Sequence, residues 1–396
     1  MNIEHRTSNA EHRTEPLAKA RYIMIGGFLG AGKTTAVAAL AKHLTEQKLR
    51  VGLITNDQGS ELVDTAMLRS RGFATEEIPG GCFCCRFNSL VDAAHKLTDS
   101  TRPDVFIAEP VGSCTDLVAT VTYPLRRIYG DAFAIAPLTV LVDPVRAARV
   151  LGLADGGGFS EKVRYIFRKQ LEEADIIAIN KTDTLDDARR TELHAALTRE
   201  FPRAEIFEIS ARNGDGLDVW IGRITTSEQI PRTAMEVDYE IYAEGEALLG
   251  WLNCTVQLAA SSADTAAATT GFDADAVLKS LATRIQSRLQ GDAAEIAHLK
   301  MTLSPDTGIG GIAVINLVRN DFVPELSLRL EEPVGSGQLI INLRAEGAPE
   351  LLRDAVNEAV AGVAGDFPSL TARLDHIEFF RPGKPQPTHR IADLAG

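Results

Sequence analysis

The chain has 396 residues, 45% hydrophobic and 24% charged, a globular composition with material for two or three domains of ordinary size. Its formal net charge of -13 argues against a nucleic-acid-binding surface, which would show a basic patch. Apolar runs such as Ala132 to Val142 are too short to span a bilayer, and the leader MNIEHRTSNAEHRTEP lacks the apolar stretch of a secretory signal. A floppy polar leader over residues 1–20 on a cytoplasmic protein is therefore expected, with no nucleic-acid or membrane partner.

From Arg21 to about Arg223, short apolar runs alternate with helical patterns. Strands are predicted at RYIMIGG, VGLITN, residues 73–78, DVFIAEP, LTVLVD, DIIAIN and AEIFEIS. Amphipathic helices are predicted over residues 34–47, 160–173 and 184–200, with Gly156-Gly157-Gly158 as a mobile loop. Near-continuous apolar strands separated by helices read as an α/β fold with a mainly parallel sheet covered on both faces. The polar stretch TTSEQIPRT breaks the rhythm as a linker. Strand-like EVDYEIYA and WLNCTVQLA come next, then an Ala/Ser/Thr-rich loop and a helix over 274–289. HLKMTL, GIAVINLV, LSLRLEE and QLIINLRAE follow as strands, then a helix over 349–363 and a last strand, ARLDHIEFF. This second region reads as a smaller α+β domain, with two βαβ-like halves on an antiparallel sheet as one arrangement. The tail from Pro382 is proline-rich and expected to be extended or disordered. The predicted divisions are a leader over 1–20, an α/β domain over 21–225, a linker over 226–236, an α+β domain over 237–382 and a flexible tail over 383–396.

Gly27-Phe28-Leu29-Gly30-Ala31-Gly32-Lys33-Thr34 completes the G-x-x-x-x-G-K-[ST] pattern between an apolar strand and a helix. Gly27, Gly30 and Gly32 let backbone N–H groups curl round phosphates at a helix N-terminus, where the dipole favours anions. Lys33 places a charge on the β- and γ-phosphates, Thr34 offers a hydroxyl to Mg²⁺, and Thr35 belongs to the same cradle. Asn180-Lys181-Thr182-Asp183 follows the strand DIIAIN, and the Asp183 carboxylate can accept two N–H bonds from guanine, a donor pair adenine lacks. Ser210-Ala211-Arg212 follows the next strand and can give backbone donors to the guanine carbonyl; a helix cap at Thr182 or Asp183 is the plainer alternative. The pattern predicts a P-loop GTPase domain that binds GTP with Mg²⁺ and hydrolyses it.

Glu109-Pro110-Val111-Gly112 ends the strand DVFIAE. Glu109 is positioned as an outer partner of Mg²⁺ and Gly112 as an N–H donor to the γ-phosphate, which makes 109–116 a switch segment. Asn56-Asp57-Gln58-Gly59 is the other segment placed to sense the phosphate, with a loop capped by Asp57 as the bland alternative. Asp57 joins Thr34 and Glu109 as a candidate metal-binding residue.

Three of the five cysteines crowd into Gly80-Gly81-Cys82-Phe83-Cys84-Cys85. That is not a disulfide framework, but thiolates at this spacing can converge on one soft or borderline cation such as Zn²⁺, Co²⁺ or Ni²⁺. A fourth ligand could come from Glu61, Asp57, Cys114 or water; a trio of inert buried cysteines is the alternative.

GFLGAGKT, TNDQG, GGCFCC, EPVG, LVDP, QLEEADIIAINKTD and ISARNG stand in an order that resembles the CobW-type GTPases, relatives of the urease and hydrogenase nickel-insertion GTPases. The resemblance covers about Arg21 to Arg223. It implies a metallochaperone that loads a transition metal, zinc or cobalt, on the cysteine cluster in its GTP state and releases it to a client metalloenzyme or cofactor enzyme, with a homodimer left open. This chain departs from the family's N-E-F-G-E pattern at Asn56-Asp57-Gln58-Gly59-Ser60, has Glu61 one place on, and has no histidine-rich tract. A GTPase gatekeeper of a corrinoid or other metallocofactor enzyme, and a regulatory switch without metal transfer, are the competing readings. Trp251 and Phe272 could recognise a client, though core packing suits both better.

Overall fold

The structure, a computed structural model, describes residues 19–56, 65, 68–69, 71–261, 271–306 and 311–394. Asp57, Gln58, Gly59, Ser60 and Glu61 lie outside the described residues, as do most of the leader and of the Ala/Ser/Thr-rich loop.

The first half builds a parallel sheet from β1 (Ala20–Gly27), β2 (Val51–Asn56), β3 (Ala74–Ile78), β4 (Val105–Glu109), β5 (Phe133–Ile135), β6 (Thr139–Val142), β7 (Ile176–Ile179) and β8 (Glu205–Glu208). The order is β3-β2-β4-β1-β6-β7-β8, with β5 beside the start of β1. Helices α1 (Lys33–Glu46), α2 (Phe87–Thr101), α3 (Tyr123–Tyr129), α4 (Pro144–Val150), α5 (Glu161–Glu173), α6 (Asp187–Glu200) and α7 (Leu217–Thr226) connect them. Strands β2, β4, β6 and β7 are buried at every position, as a sheet covered on both faces requires. The register aligns Met24 with Ala108, Thr55 with Glu109, and Gly27 with Leu141, so the loops after β1, β2, β4 and β6 leave one edge. At that edge, crevices of open α/β sheets bind ligands. Strand β5 was not anticipated, because three residues cut off by Pro137 from the run of β6 carry too short a pattern.

The second half forms an antiparallel sheet in the order β12-β11-β10-β13-β9-β14. Its strands are β9 (Leu249–Ala260), β10 (Glu295–Pro305), β11 (Ala313–Leu317), β12 (Glu325–Leu328), β13 (Ser336–Glu346) and β14 (Leu370–Phe380). Helix α9 (Ala274–Gly291) joins β9 to β10 and α10 (Pro349–Asp366) joins β13 to β14, two interleaved βαβ halves with β11 and β12 added at the edge. Both helices pack on one face, where Val277, Leu281, Ile285, Val356 and Val363 meet Leu299, Met301 and Leu303. Trp251 and Phe272 are buried, the first stacked on Phe380. No helix among the described residues is long and apolar enough to cross a membrane.

One element differs in kind from its sequence expectation. EVDYEIYA is not a strand: Tyr239–Leu248 is a helix, α8. The Asp238 carboxylate caps it by accepting from the N–H groups of Glu240 and Ile241. Tyr242, Gly245 and Glu246 then fall on one buried face, a helical spacing that overrides the short alternation. At Gly245 a Cβ would stand 2.5 Å from the Lys162 carbonyl, so only glycine permits this approach of α8 to α5.

The linker and the tail are also more firmly held than composition suggests. Gln229 N–H donates to the Ile135 carbonyl, and the Arg232 guanidinium donates to the carbonyls of Glu173 and Ala174. The described part of the tail from Pro382 has no helix or strand, yet its N–H groups bond back to the first domain: Thr388 to the Cys84 carbonyl and Ile391 to that of Ala119. Arg390 pairs with Asp116, whose side chain is 1% exposed.

The two halves are joined above all by Arg146 of α4. Its guanidinium donates to the Leu29 carbonyl at 2.6 Å, to the Ala297 carbonyl at 3.3 Å and to the Val318 carbonyl. Arg146→Met keeps most of the volume and leaves these buried acceptors without that donor and Asp143 without one cationic neighbour. The variant is expected to lose about 3–5 kcal/mol of stability, read by chemical unfolding followed by circular dichroism.

Candidate nucleotide and thiol site

The turn between β1 and α1 is built for close approach. Gly27, Gly30 and Gly32 all have positive φ, and a Cβ on Gly27 would lie 2.3 Å from the Leu141 carbonyl. Gly32 caps α1, so Lys33 and Thr34 occupy the helix's first turn, facing a cavity of about 650 Å³. Lys33 Nζ lies 2.8 Å from the Gly27 carbonyl, folded back over the loop it closes. The Thr34 hydroxyl donates to the Glu109 carboxylate at 3.0 Å, and Gly112 comes so near the loop that a Cβ would meet the Leu29 nitrogen at 2.9 Å. A hydroxyl beside a carboxylate, in a glycine cradle at a helix N-terminus, fits a hydrated Mg²⁺ and the phosphates it accompanies.

The predicted base-binding residues line the same cavity. Asn180 Nδ2 donates to the Ala31 carbonyl at 2.9 Å, and Asn180 Oδ1 accepts the Ala211 N–H at 3.0 Å. The Ala211 donor thus holds the loop after β8 to the asparagine. Ser210 donates its hydroxyl to Asp183 at 2.6 Å, which fixes the carboxylate at the cavity wall. Lys181, in the left-handed region at φ 58°, reaches the Gly30 carbonyl and the Asp143 carboxylate, both at 2.8 Å. Thr35 lines the cavity, whereas Gly27 shapes the turn behind it.

Residues that the sequence had not placed at this cavity surround it as well. Asp143 caps α4 and faces Lys181, Arg146 and Arg319. Burial pushes its carboxyl upward, but these cations outweigh that and hold it down at about 2. The other cavity wall comes from the second sheet: Trp251, His298, Lys300, Asn316, Asn342 and Arg344. His298 is driven well below its usual value by desolvation and by Lys300, Lys33 and Lys181, so it is neutral at pH 7. The alternation of polar and apolar residues in HLKMTL marks a two-faced strand, but nothing in it says what the polar face meets.

The cysteine loop follows β3. Sγ of Cys82 lies 2.8 Å from that of Cys84 and 3.2 Å from that of Cys85, and Cys84 and Cys85 are 3.7 Å apart, so all are free thiols. Sulfurs about 2.3 Å from a tetrahedral cation stand about 3.8 Å apart; the Cys84–Cys85 edge has that length, whereas Cys82 lies closer to both and would have to draw back to share a cation with them. Cys114 of the Glu109 segment lies beside Cys82 but outside the trio of sulfurs that lie within 4.8 Å of one another; with Cys84 and Cys85 it holds the Cys82 thiol well below its usual value. The shared proton set moves the others up, Cys85 to about 11 beside Cys82, while burial first of all raises Cys114. Glu246 of α8 lies near Cys82, its carboxyl pushed up to about 8, mainly by burial. Cys114 is therefore at the cluster, as one of the four alternatives required, whereas Asp57 and Glu61 lie outside the described residues.

Two links tie this loop to the phosphate end of the cavity. Asn56, at the end of β2 and in the cavity wall, donates to the carbonyls of Ile78 at 2.8 Å and Gly81 at 2.6 Å. Gln170 of α5 donates to the carbonyls of Gly112 and Cys114, at 2.9 and 2.8 Å, fixing the segment that bears Cys114.

Residues 21–208 match the family of CobW/HypB/UreG nucleotide-binding domains. The zinc chaperone YeiR of Escherichia coli K12 is 32% identical over 163 residues, 40% of this chain and 46% of that protein. The zinc chaperone CobW of a Sinorhizobium species is 30% identical over 213 residues, 48% of this chain and 59% of that protein. The chain thus spans about half the length of the curated relatives it matches. The solved Zn(II)-bound YjiA GTPase of E. coli aligns with 87% of this chain and 99% of its own at 16% identity and a TM-score of 0.36.

Because the Asp143 carboxyl is depressed to about 2, the stability it lends is fully present above about pH 4 and is lost as pH falls through about 2. Asp143→Asn should therefore cost about 2–4 kcal/mol at pH 7, with the gap to wild type narrowing below pH 4. Unfolding measured at several pH values checks both the size and the direction.

Proposed function

We propose that this chain, whose residues 21–208 form a nucleotide-binding domain of the CobW/HypB/UreG family, is a GTP-hydrolysing metallochaperone that carries zinc to a client protein. The observation that carries the reading is the convergence of three thiols on a loop hydrogen-bonded, through Asn56, to the wall of the phosphate cavity. The names of the curated relatives, zinc chaperones, favour zinc over cobalt as cargo.

In this reading Lys33 and the N–H groups of the loop after β1 hold the phosphates, and Thr34 and Glu109 hold Mg²⁺, directly and through water. Mg²⁺ supplies charge neutralisation at the β- and γ-phosphates. Gly112 offers its N–H to the γ-phosphate, and Asp183 selects guanine. When the triphosphate draws in the Glu109–Gly112 segment, Cys114 moves with it toward Cys82, Cys84 and Cys85, and the thiol geometry tightens on the cargo. Hydrolysis removes the γ-phosphate, relaxes the segment and lets the metal pass to the client.

Lys33→Ala should abolish measurable GTP hydrolysis without unfolding the helix, since alanine is the better helix former. Asp183→Asn should lose about 2–4 kcal/mol of GTP affinity and gain affinity for xanthosine triphosphate, because its amide donor suits the extra carbonyl of xanthine. Competition binding checks the second point; wild type that held ATP as tightly as GTP would sink the guanine assignment.

Linkage provides the decisive test. If the triphosphate tightens zinc binding, zinc must tighten the triphosphate by the same factor, about 5–150-fold for a typical coupling. Zinc is titrated against protein bound to GDP and to a non-hydrolysable GTP analogue, in wild type and in the triple Cys82, Cys84, Cys85→Ser variant. Equal wild-type affinities in both states would eliminate the chaperone cycle. The thiols must lose protons to bind, so zinc affinity should weaken as pH falls.

A further inference from the structure

Strand β10 sends its two faces in opposite directions. Leu299, Met301 and Leu303 enter the core of the second domain, while His298 and Lys300 face the nucleotide cavity. Lys300 lies between two asparagines, paired across the sheet with Asn316 on β11 and Asn342 on β13. The sheet thus presents Lys300 flanked by two uncharged amides, with Arg344 as a second cation in the same wall. Lys300 Nζ reaches across the domain junction to the Thr34 hydroxyl at 3.2 Å, and that hydroxyl in turn donates to Glu109. In the same wall the indole Nε1 of Trp251, a residue 1% exposed, has no hydrogen-bond partner among the described residues. A wall of donors opposite a phosphate cradle is complementary to an anion.

We infer that Lys300 is a γ-phosphate-sensing residue supplied by the second domain, which binds the triphosphate and not the diphosphate; this rests on the GTPase reading given above. Thr34 cannot serve Mg²⁺ and remain the partner of an ammonium at this distance, so Lys300 must shift when Mg²⁺ and nucleotide enter. The direction of the shift follows from charge. Mg²⁺ and Lys33 together offset the formal charge of a diphosphate, but leave one uncompensated negative charge on a triphosphate. One further cation is therefore favoured beside the triphosphate and disfavoured beside the diphosphate. Lysine suits this role because its flexible stem carries a point charge over several ångströms. The second sheet is then drawn against the P-loop while the triphosphate persists, and is released when its terminal phosphate leaves.

The test compares full-length wild type with Lys300→Met, which keeps the stem and removes the charge, and Lys300→Arg, which restores a cation. Affinities for GDP and for a non-hydrolysable GTP analogue are measured by calorimetry at fixed Mg²⁺. Lys300→Met is expected to lose at least about tenfold of the preference for the analogue, with GDP binding changed less than about twofold, and Lys300→Arg to recover most of it. The hydrolysis rate kcat should fall about 10–100-fold in Lys300→Met. An unchanged preference, or equal changes for both nucleotides, overturns the assignment: Lys300 would then be a structural contact or a simple competitor of Mg²⁺. Wild type that failed to bind the analogue would instead refute the GTPase reading itself, so the two failures are distinguishable.

Discussion

The arrangement depends on one buried pair, Asp143 and Arg146, three residues apart at the start of α4. Asp143 accepts from Lys181 of the loop after β7 at 2.8 Å and from Arg319, just past β11, at 3.3 Å. Arg146 binds the carbonyl of Leu29 in the phosphate loop and two carbonyls of the second domain. Burial pushes the Arg146 guanidinium down to about 10, which still leaves it charged at neutral pH. Its ring neighbours Phe28 and Phe159, at 5.3 and 4.9 Å, shield it from water. Uncompensated, either charge would cost several kcal/mol in such a place. The shape of the loop after β1, the placing of the loop after β7 and the seating of the second sheet are consequently mutual conditions, met in one local geometry or not at all.

That the loop after β1 and the residues from Asn180 to Asp183 would meet at one cavity was legible, because each group is contiguous in the chain. A loop of eight residues between a strand and a helix dictates its own shape, and Asn180 and Asp183 follow a strand whose position the parallel order fixes. The second wall was not legible: His298 and Lys300 sit in an ordinary amphipathic strand, and only the packing of one face of the second sheet on the loops of the first turns them toward the loop after β1. The α8 segment misled for a different reason. Alternation over eight residues fits a strand as well as a helix, and the deciding facts, the Asp238 cap and the close contact at Gly245, involve local geometry and a distant partner. Cys114 was legible only as an option, since its approach to Cys82 depends on β4 lying beside β2.

The thiol cluster follows β3 and the glycine cradle follows β1 at one sheet edge, with β2 and β4 between them, and short polar bonds span the interval. Asn56 grips the cysteine loop from the cavity wall, while Gln170 grips the segment that carries Gly112 and Cys114. These bonds make the cysteine loop and the Gly112–Cys114 segment continuous with the cavity wall. Glu173 reinforces the same segment. It accepts from Thr115 at 3.1 Å and Val118 at 3.0 Å, with burial first and then Asp116 raising its carboxyl to about 8. A carboxylic acid that is mostly neutral at pH 7 adds no charge to a region that must already accommodate thiolates.

The chain crosses between its two sheets twice, once through the linker and once through the tail that returns after β14. Those crossings are not separate: the Ala234 N–H donates to the Ala392 carbonyl, and Arg390 reaches the Met235 carbonyl at 2.9 Å. Two tethers fixed at distant points would forbid rotation of one body against another, as two bolts do to a plate. Two tethers laid together behave as a single pin, and a pin leaves an angular freedom. The returning tail thus doubles the linker as one pin, and the angle about that pin is set by the bonds that Arg146, Arg319 and Arg212 make between the domains.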